Sequence, residues 1–162
     1  MDKKIRGRIS LFNPVHFLAL GFGSGLGAKM PGTFGTLAAL PLVVLLSHYF
    51  SFTVYLIVTV LVSFAGIWIC GKAAEDMGVH DDSSIVWDEL AGIMITMLAV
   101  PLNGQNLLVG FVLFRFFDIL KPWPISYLDK HVHGGFGIMI DDVLAGLFAL
   151  GIMHTLLTLN WL

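Results

Sequence analysis

Along the chain, long stretches without any charged residue alternate with short charged clusters. The uncharged runs are 9–28, 30–71, 90–114 and 143–162, of 20, 42, 25 and 20 residues. A bilayer core takes roughly 20 apolar residues per helical crossing, so the run at 30–71 holds two passes. Its best internal break is Ser47-His48-Tyr49-Phe50-Ser51, which predicts a shorter helix near 36–46 and a fuller one at 52–71. The run at 90–114 is broken at Pro101-Leu-Asn-Gly-Gln-Asn106, a dense turn signal, and helices near 84–100 and 107–120 follow. The last run crosses once and ends at Asn160-Trp161, where an indole suits the headgroup level.

Both hairpin tips are uncharged, so on this topology every charged residue falls on one side of the membrane. Lys3, Lys4, Arg6 and Arg8 assign that side to the cytoplasm by the positive-inside rule. Asn13, Pro14 and His16 interrupt what would otherwise be a signal-peptide core, so residues 1–12 read as a retained basic cytoplasmic segment. The 36–46 helix, with Pro41 inside it, is short for a crossing, and burial among protein neighbours is the other reading. The predicted fold is all-α: one domain over 1–162, a membrane-embedded bundle of about five to six helices, some shorter than a full crossing.

Composition supports this picture and removes other classes. Of 162 residues, 57% are hydrophobic and 12% charged, against roughly 25% charged in a soluble domain. Nine Lys and Arg against eleven Asp and Glu leave a net charge of −2, so no basic field exists to collect nucleic-acid phosphates. The apolar content also excludes intrinsic disorder. The single Cys70 cannot form an internal disulfide and reads as a small hydrophobe.

The acids are placed unusually. Asp88-Glu89 and Asp141-Asp142 each open an apolar run in matching contexts, Asp88-Glu-Leu-Ala-Gly92 and Asp142-Val-Leu-Ala-Gly146. In a helix the glycine four residues on shares the acid's face, so the two acid-bearing helices can approach closely there. Acids at helix starts also complement the macrodipole, which is the bland explanation. Two such pairs, with Asp118 inside a third apolar helix, favour function, because ionisable groups at a membrane boundary are costly. Carboxylates without histidine or cysteine partners nearby suit hard cations, and magnesium takes one or two of them together with substrate phosphate oxygens.

Cations and a glycine-rich loop complete the pattern. Arg115, Asp118 and Lys121 follow one another at three-residue spacing just before Pro122-Trp-Pro124 ends the helix. Gly21, Gly23, Gly25 and Gly27 lead into Lys29-Met-Pro-Gly-Thr-Phe-Gly-Thr36, and a Gly- and Thr-rich helix start presents free N–H groups to a phosphate. Lys29, Thr33 and Thr36 are the binding candidates, although Thr36 also reads as a helix cap and the glycines as a packing contact. Neither a Walker A loop nor a Rossmann fingerprint is present, so nucleotide binding is excluded. A cysteine-based phosphatase motif and a D-x-D pair are likewise absent. His131 and His133 read as loop residues, and His16, His48 and His154 as interfacial.

Four ordered segments carry a resemblance: Pro31-Gly-Thr-Phe-Gly-Thr36, Val86-Trp-Asp-Glu-Leu-Ala-Gly92, Phe114-Arg-Phe-Phe-Asp-Ile-Leu-Lys-Pro-Trp-Pro-Ile125 and Gly137-Ile-Met-Ile-Asp-Asp-Val-Leu-Ala-Gly146. Together they resemble bacterial phosphatidylglycerophosphatase A over nearly the whole chain after about residue 12. The resemblance implies an all-helical, magnesium-dependent enzyme of phospholipid synthesis. It would hydrolyse phosphatidylglycerophosphate to phosphatidylglycerol and inorganic phosphate at the cytoplasmic leaflet of the inner membrane.

The expected site takes its metal ligands from Asp88, Glu89, Asp141 and Asp142. Lys29, Thr33 and Thr36 hold substrate, and Arg115, Asp118 and Lys121 serve catalysis, with Asp118 the first choice to orient the attacking water. An aspartyl-phosphate intermediate is the alternative chemistry. A small transporter with a carboxylate-lined pathway, or a scaffold with interfacial ion pairs, are the alternative functions.

Overall fold

Caps and turns place the helix boundaries. In the computed structural model, which describes residues 7–27, 29–79 and 82–162, the helices are α1 (Pro14–Ala19), a 3-10 segment (Gly21–Leu26), α2 (Pro31–Tyr49), α3 (Phe52–Met77), α4 (Trp87–Thr96), α5 (Gly104–Leu120), α6 (Ile125–His131) and α7 (Gly134–Thr158). Among the described residues the regular secondary structure is all helical, with no strand, as expected. The helices beyond the expected five to six are the short α1 and α6.

Several boundaries differ from expectation, each for a local reason. Pro31 has no N–H to lose and a φ already suited to a first helical position, so α2 starts there and not at Thr36. It also runs through Pro41 to Tyr49. The helix expected at 84–100 shortens to α4, because tight turns take over beyond Thr96 and Ala99 adopts φ 56° before Pro101. The last helix starts at Gly134, not 143, so Asp141 and Asp142 lie inside α7 and do not open it. Ser51 and Asn103 side chains accept from Val54 and Asn106 N–H and cap α3 and α5.

Helix α4 is the centre of the bundle, with every residue buried except Asp88. Helices α2, α3, α5 and α7 pack around it. The Tyr55 hydroxyl donates to the Met94 carbonyl at 3.0 Å and satisfies one of the orphan acceptors at the end of α4. The matching Asp-x-Leu-Ala-Gly segments meet as expected: a Cβ on Gly146 would stand 2.6 Å from the Gly92 carbonyl oxygen. Small residues there let two backbones close to a distance that larger ones forbid.

Three helices, α2, α3 and α7, are long and apolar enough to cross a membrane. Their outer faces expose Leu45, Leu61, Phe64, Trp68 and Leu147, the surface expected against lipid tails. The contacts place the starts of α2, α4 and α7 beside the ends of α3 and α5. The charged side chains among the described residues gather at that end. The opposite end, with the Phe50-Ser51 turn and the loop after α4, carries none. Of Lys3, Lys4, Arg6 and Arg8, on which the cytoplasmic assignment rests, the first three lie outside the described residues; Arg8 stands at the charged end, donating to the Met77 carbonyl.

The glycine-rich approach serves packing. A Cβ on Gly21 or Gly35 would strike Val86, and one on Gly25 the Ser84 carbonyl. The Val86 N–H donates to the Ala19 carbonyl at 2.8 Å. These contacts pin the segment before α4 and so the position of Asp88 and Glu89.

Candidate active site

The helix termini at the charged end enclose a cavity of about 320 Å³. Asp88 and Glu89 enter it from the first turn of α4, where the helix dipole favours negative charge. Arg115, Asp118 and Lys121 come from the end of α5, and Asp141 and Asp142 from α7. The first turn of α2 closes the cavity with Gly32 and Thr33. Glu89, Asp118 and Asp142, remote in sequence, therefore share one cavity.

Within it the seven charged groups sort into two sets. Asp88, Glu89 and Asp142 each bring a carboxylate oxygen to within 4.8 Å of the others. Glu89 Oε2 and Asp142 Oδ2 are buried with no hydrogen-bond partner in the protein. Buried polar atoms are nearly always paired, so two orphaned carboxylate oxygens in one cluster fit a hard divalent cation, which takes oxygen ligands. The second set is ion-paired. Arg115 Nη1 lies 2.6 Å from Asp118 Oδ2 and 3.6 Å from Glu89 Oε1. Lys121 Nζ bridges Asp129 and Asp141, at 2.5 Å from each.

Electrostatics follow the same division. Helix α4 has ten residues, about 15 Å, too short to span a bilayer. Burial first, then the negative charges of Asp142 and Asp118, pushes the Glu89 carboxyl well above its ordinary range; the hydrogen bond with Asp88 and the charge of Arg115 pull the other way. Burial lowers the Lys121 ammonium, but its hydrogen bonds to Asp129 and Asp141 and their charges outweigh that and hold it above its usual value. The two paired carboxylates therefore favour the charged form of Lys121.

Not all expected residues stand together. Asp141, expected among the metal ligands, lines the cavity outside the Asp88, Glu89 and Asp142 trio: one oxygen is held by Lys121 and the other, Oδ1, is buried without a partner. Thr36 is fully buried in α2 and donates its hydroxyl to the Gly32 carbonyl at 2.9 Å, so it binds its own helix and does not line the cavity. Lys29 is exposed in the preceding loop and is likewise not part of the lining. Thr33 is, and so are all three expected catalytic residues, Arg115, Asp118 and Lys121.

Two residues go beyond the sequence reading. Asp129, on α6, holds Lys121 from behind; no spacing rule on one helix connects them. Gly32 admits no side chain, because a Cβ there would overlap Glu89 Oε1 and stand 3.0 Å from both terminal nitrogens of Arg115. Those atoms are the ends of flexible side chains, so Gly32→Ala would shift the site more than the fold. It is expected to lower phosphate release at least tenfold while moving the thermal midpoint by no more than a few degrees, measured together on one preparation.

Comparison with known proteins follows the same lines. The phosphatidylglycerophosphatase A family model matches residues 17–157. A protein of Haemophilus influenzae named phosphatidylglycerophosphatase A is 53% identical over 143 residues, covering 88% of each chain. The Escherichia coli protein of that name is 48% identical over 150 residues, covering 92% of this chain and 87% of its own. A Bacteroides thetaiotaomicron protein, provisionally named a phosphatidylinositol-3-phosphatase, is 41% identical over 145 residues, covering 85% and 89%. No solved structure gives a significant match. With the family model spanning most of the sequence and two relatives near half identity over nearly their whole length, the chain belongs to the phosphatidylglycerophosphatase A family.

Proposed function

We propose that this protein hydrolyses phosphatidylglycerophosphate to phosphatidylglycerol and inorganic phosphate in phospholipid synthesis, with magnesium as its cofactor, at the cytoplasmic face of a bacterial inner membrane. The observation that carries the reading is the charge balance of the cavity. Among the described residues that line it, Asp88, Glu89, Asp118, Asp141 and Asp142 face two cations, Arg115 and Lys121. Such a cavity repels a phosphate dianion unless a divalent cation joins it, and the unpartnered Glu89 and Asp142 oxygens suit that cation. The relatives named for two different lipid headgroups share a phosphomonoester on a lipid, which is the common chemistry this cavity suits.

Bound at Asp88, Glu89 and Asp142, magnesium would neutralise charge on a phosphoryl oxygen. The chain's own groups do the rest. Arg115, whose buried Nε has no partner, and the first-turn N–H groups of α2 at Gly32 and Thr33 hold the remaining oxygens. Lys121, locked by Asp129 and Asp141, adds a fixed positive charge. Asp118 orients a water molecule and takes its proton as the water oxygen bonds to phosphorus. The bond from phosphorus to the glycerol oxygen breaks, and that oxygen takes up the proton Asp118 received, returned directly or through a water molecule.

The transporter reading needs acids along a path across the membrane, and the described acids stop at one end. The decisive assay uses protein reconstituted in vesicles containing phosphatidylglycerophosphate. Inorganic phosphate is expected to appear with magnesium and to stop on chelation. Solute flux without phosphate release would reverse the assignment.

A further inference from the structure

The cavity's lining is charged or polar with a few exceptions, and two of those are exposed: Met30 at the cap of α2, 65% exposed, and Ile119 on α5, 62% exposed. Each begins an apolar column leading away from the charged end. On α2 the column continues one and two turns on with Phe34 and Leu37. On α5 it continues with Phe116 and Val112, at spacings of three and four residues that keep them on the face of Ile119. All four are between 44% and 54% exposed. Helices α2 and α5 both pack on α4 and also touch one another, along a seam that starts at the cavity both of them line.

We infer that the substrate's acyl chains leave the cavity through this seam, along Met30, Phe34 and Leu37 on one side and Ile119, Phe116 and Val112 on the other. The inference rests on the lipid phosphatase reading and extends it: the lipid enters sideways from the bilayer, headgroup toward Arg115 and tails against α2 and α5. Two observations single out this route. The columns are continuous with the cavity itself, since Met30 and Ile119 line it, and α2 is one of the three helices able to cross a membrane, so its column descends toward hydrocarbon. The apolar groove between α3 and α7, lined by Phe64, Phe136 and Leu147, shares no residue with the cavity lining.

The test compares two substrates on each variant: long-chain phosphatidylglycerophosphate in vesicles and a dihexanoyl analogue below its micelle concentration. For Phe34→Ser combined with Phe116→Ser, the ratio of kcat/KM on vesicles to kcat/KM on the short analogue is expected to fall at least tenfold. Leu61→Ser, on the exposed face of α3, is expected to leave the ratio within twofold of wild type. In parallel, a product lipid with a diazirine in its acyl chain should crosslink to α2 and α5, mapped by mass spectrometry. An unchanged ratio in the double variant with crosslinks confined to α3 and α7 would overturn the route. Wild type inactive on both substrates would instead refute the phosphatase reading, and if the variant fails to fold, the wild-type crosslinks decide the route.

Discussion

Asp142→Asn and Glu89→Gln are each expected to lower phosphate release by about a hundredfold to a thousandfold, because a bound cation at a phosphoryl oxygen is worth several kcal/mol and each 1.36 kcal/mol is tenfold in rate. The same substitutions are expected to raise the thermal midpoint of the protein stripped of divalent metal. Three carboxylates within 4.8 Å repel one another when nothing binds them, and Glu89 is among the buried residues. With the Glu89 carboxyl pushed above its ordinary range, folding at neutral pH must either bear this repulsion or take up a proton, and an amide of the same shape removes that cost, about 1 to 2 kcal/mol in a partly shielded site. The opposed signs make the test specific. A residue needed only for folding would lose activity and stability together; a ligand loses activity and gains stability without metal. Manganese binding followed by electron spin resonance should weaken in both variants. Wild-type manganese affinity with wild-type turnover would remove these residues from the metal site.

Gly146→Val is expected to damage the fold and the site together. Its Cβ would stand 2.6 Å from the Gly92 carbonyl oxygen and 3.2 Å from Gly92 Cα, with Ile95 Cβ also at 3.2 Å. Backbone cannot swing aside as a side-chain tip can, so α4 and α7 must separate. Overpacking of this kind costs about 1–3 kcal/mol before the added branch of valine is counted. Because Asp142 lies one turn from Gly146 on the same face, separation also draws its carboxylate from Glu89, and activity falls with stability. Gly151→Ala provides the control: on the same helix, nothing lies within 4 Å of its Cβ, and it is expected to be neutral or to stabilise by up to about 1 kcal/mol through helix propensity. Thermal unfolding in detergent micelles, with phosphate release from the same samples, measures both.

The glycine contact is legible in the sequence because helical periodicity is enough: an acid and a glycine four apart share a face, and a repeated pentapeptide implies a repeated surface. The Arg115–Asp118 pair is legible for the same reason. Legibility fails where partners come from different elements or where backbone competes for a side chain. Asp141 and Asp142 are adjacent in sequence, yet the 100° turn per residue points one at Lys121 and the other at Asp88, Glu89 and Asp118. Thr36 has the residue type and position of a phosphate donor, but inside a helix its hydroxyl finds the carbonyl four residues back. Lys29 has the charge of a binding cation and stands outside the cavity.

The order of apolar runs and charged clusters by itself determined that this chain folds as helices with its charges at one end, since hydrophobic length and charge spacing are local quantities that any bilayer-facing helix must obey. The four motifs likewise determined the family. Only the tertiary structure decided which carboxylates stand together and which are neutralised by lysine. It also decided that Gly32 must be bare and that the cavity is rimmed by apolar columns on α2 and α5. Those outcomes depend on distances between elements far apart in the chain, set when α4 is enclosed by its neighbours, and no single segment contains that information.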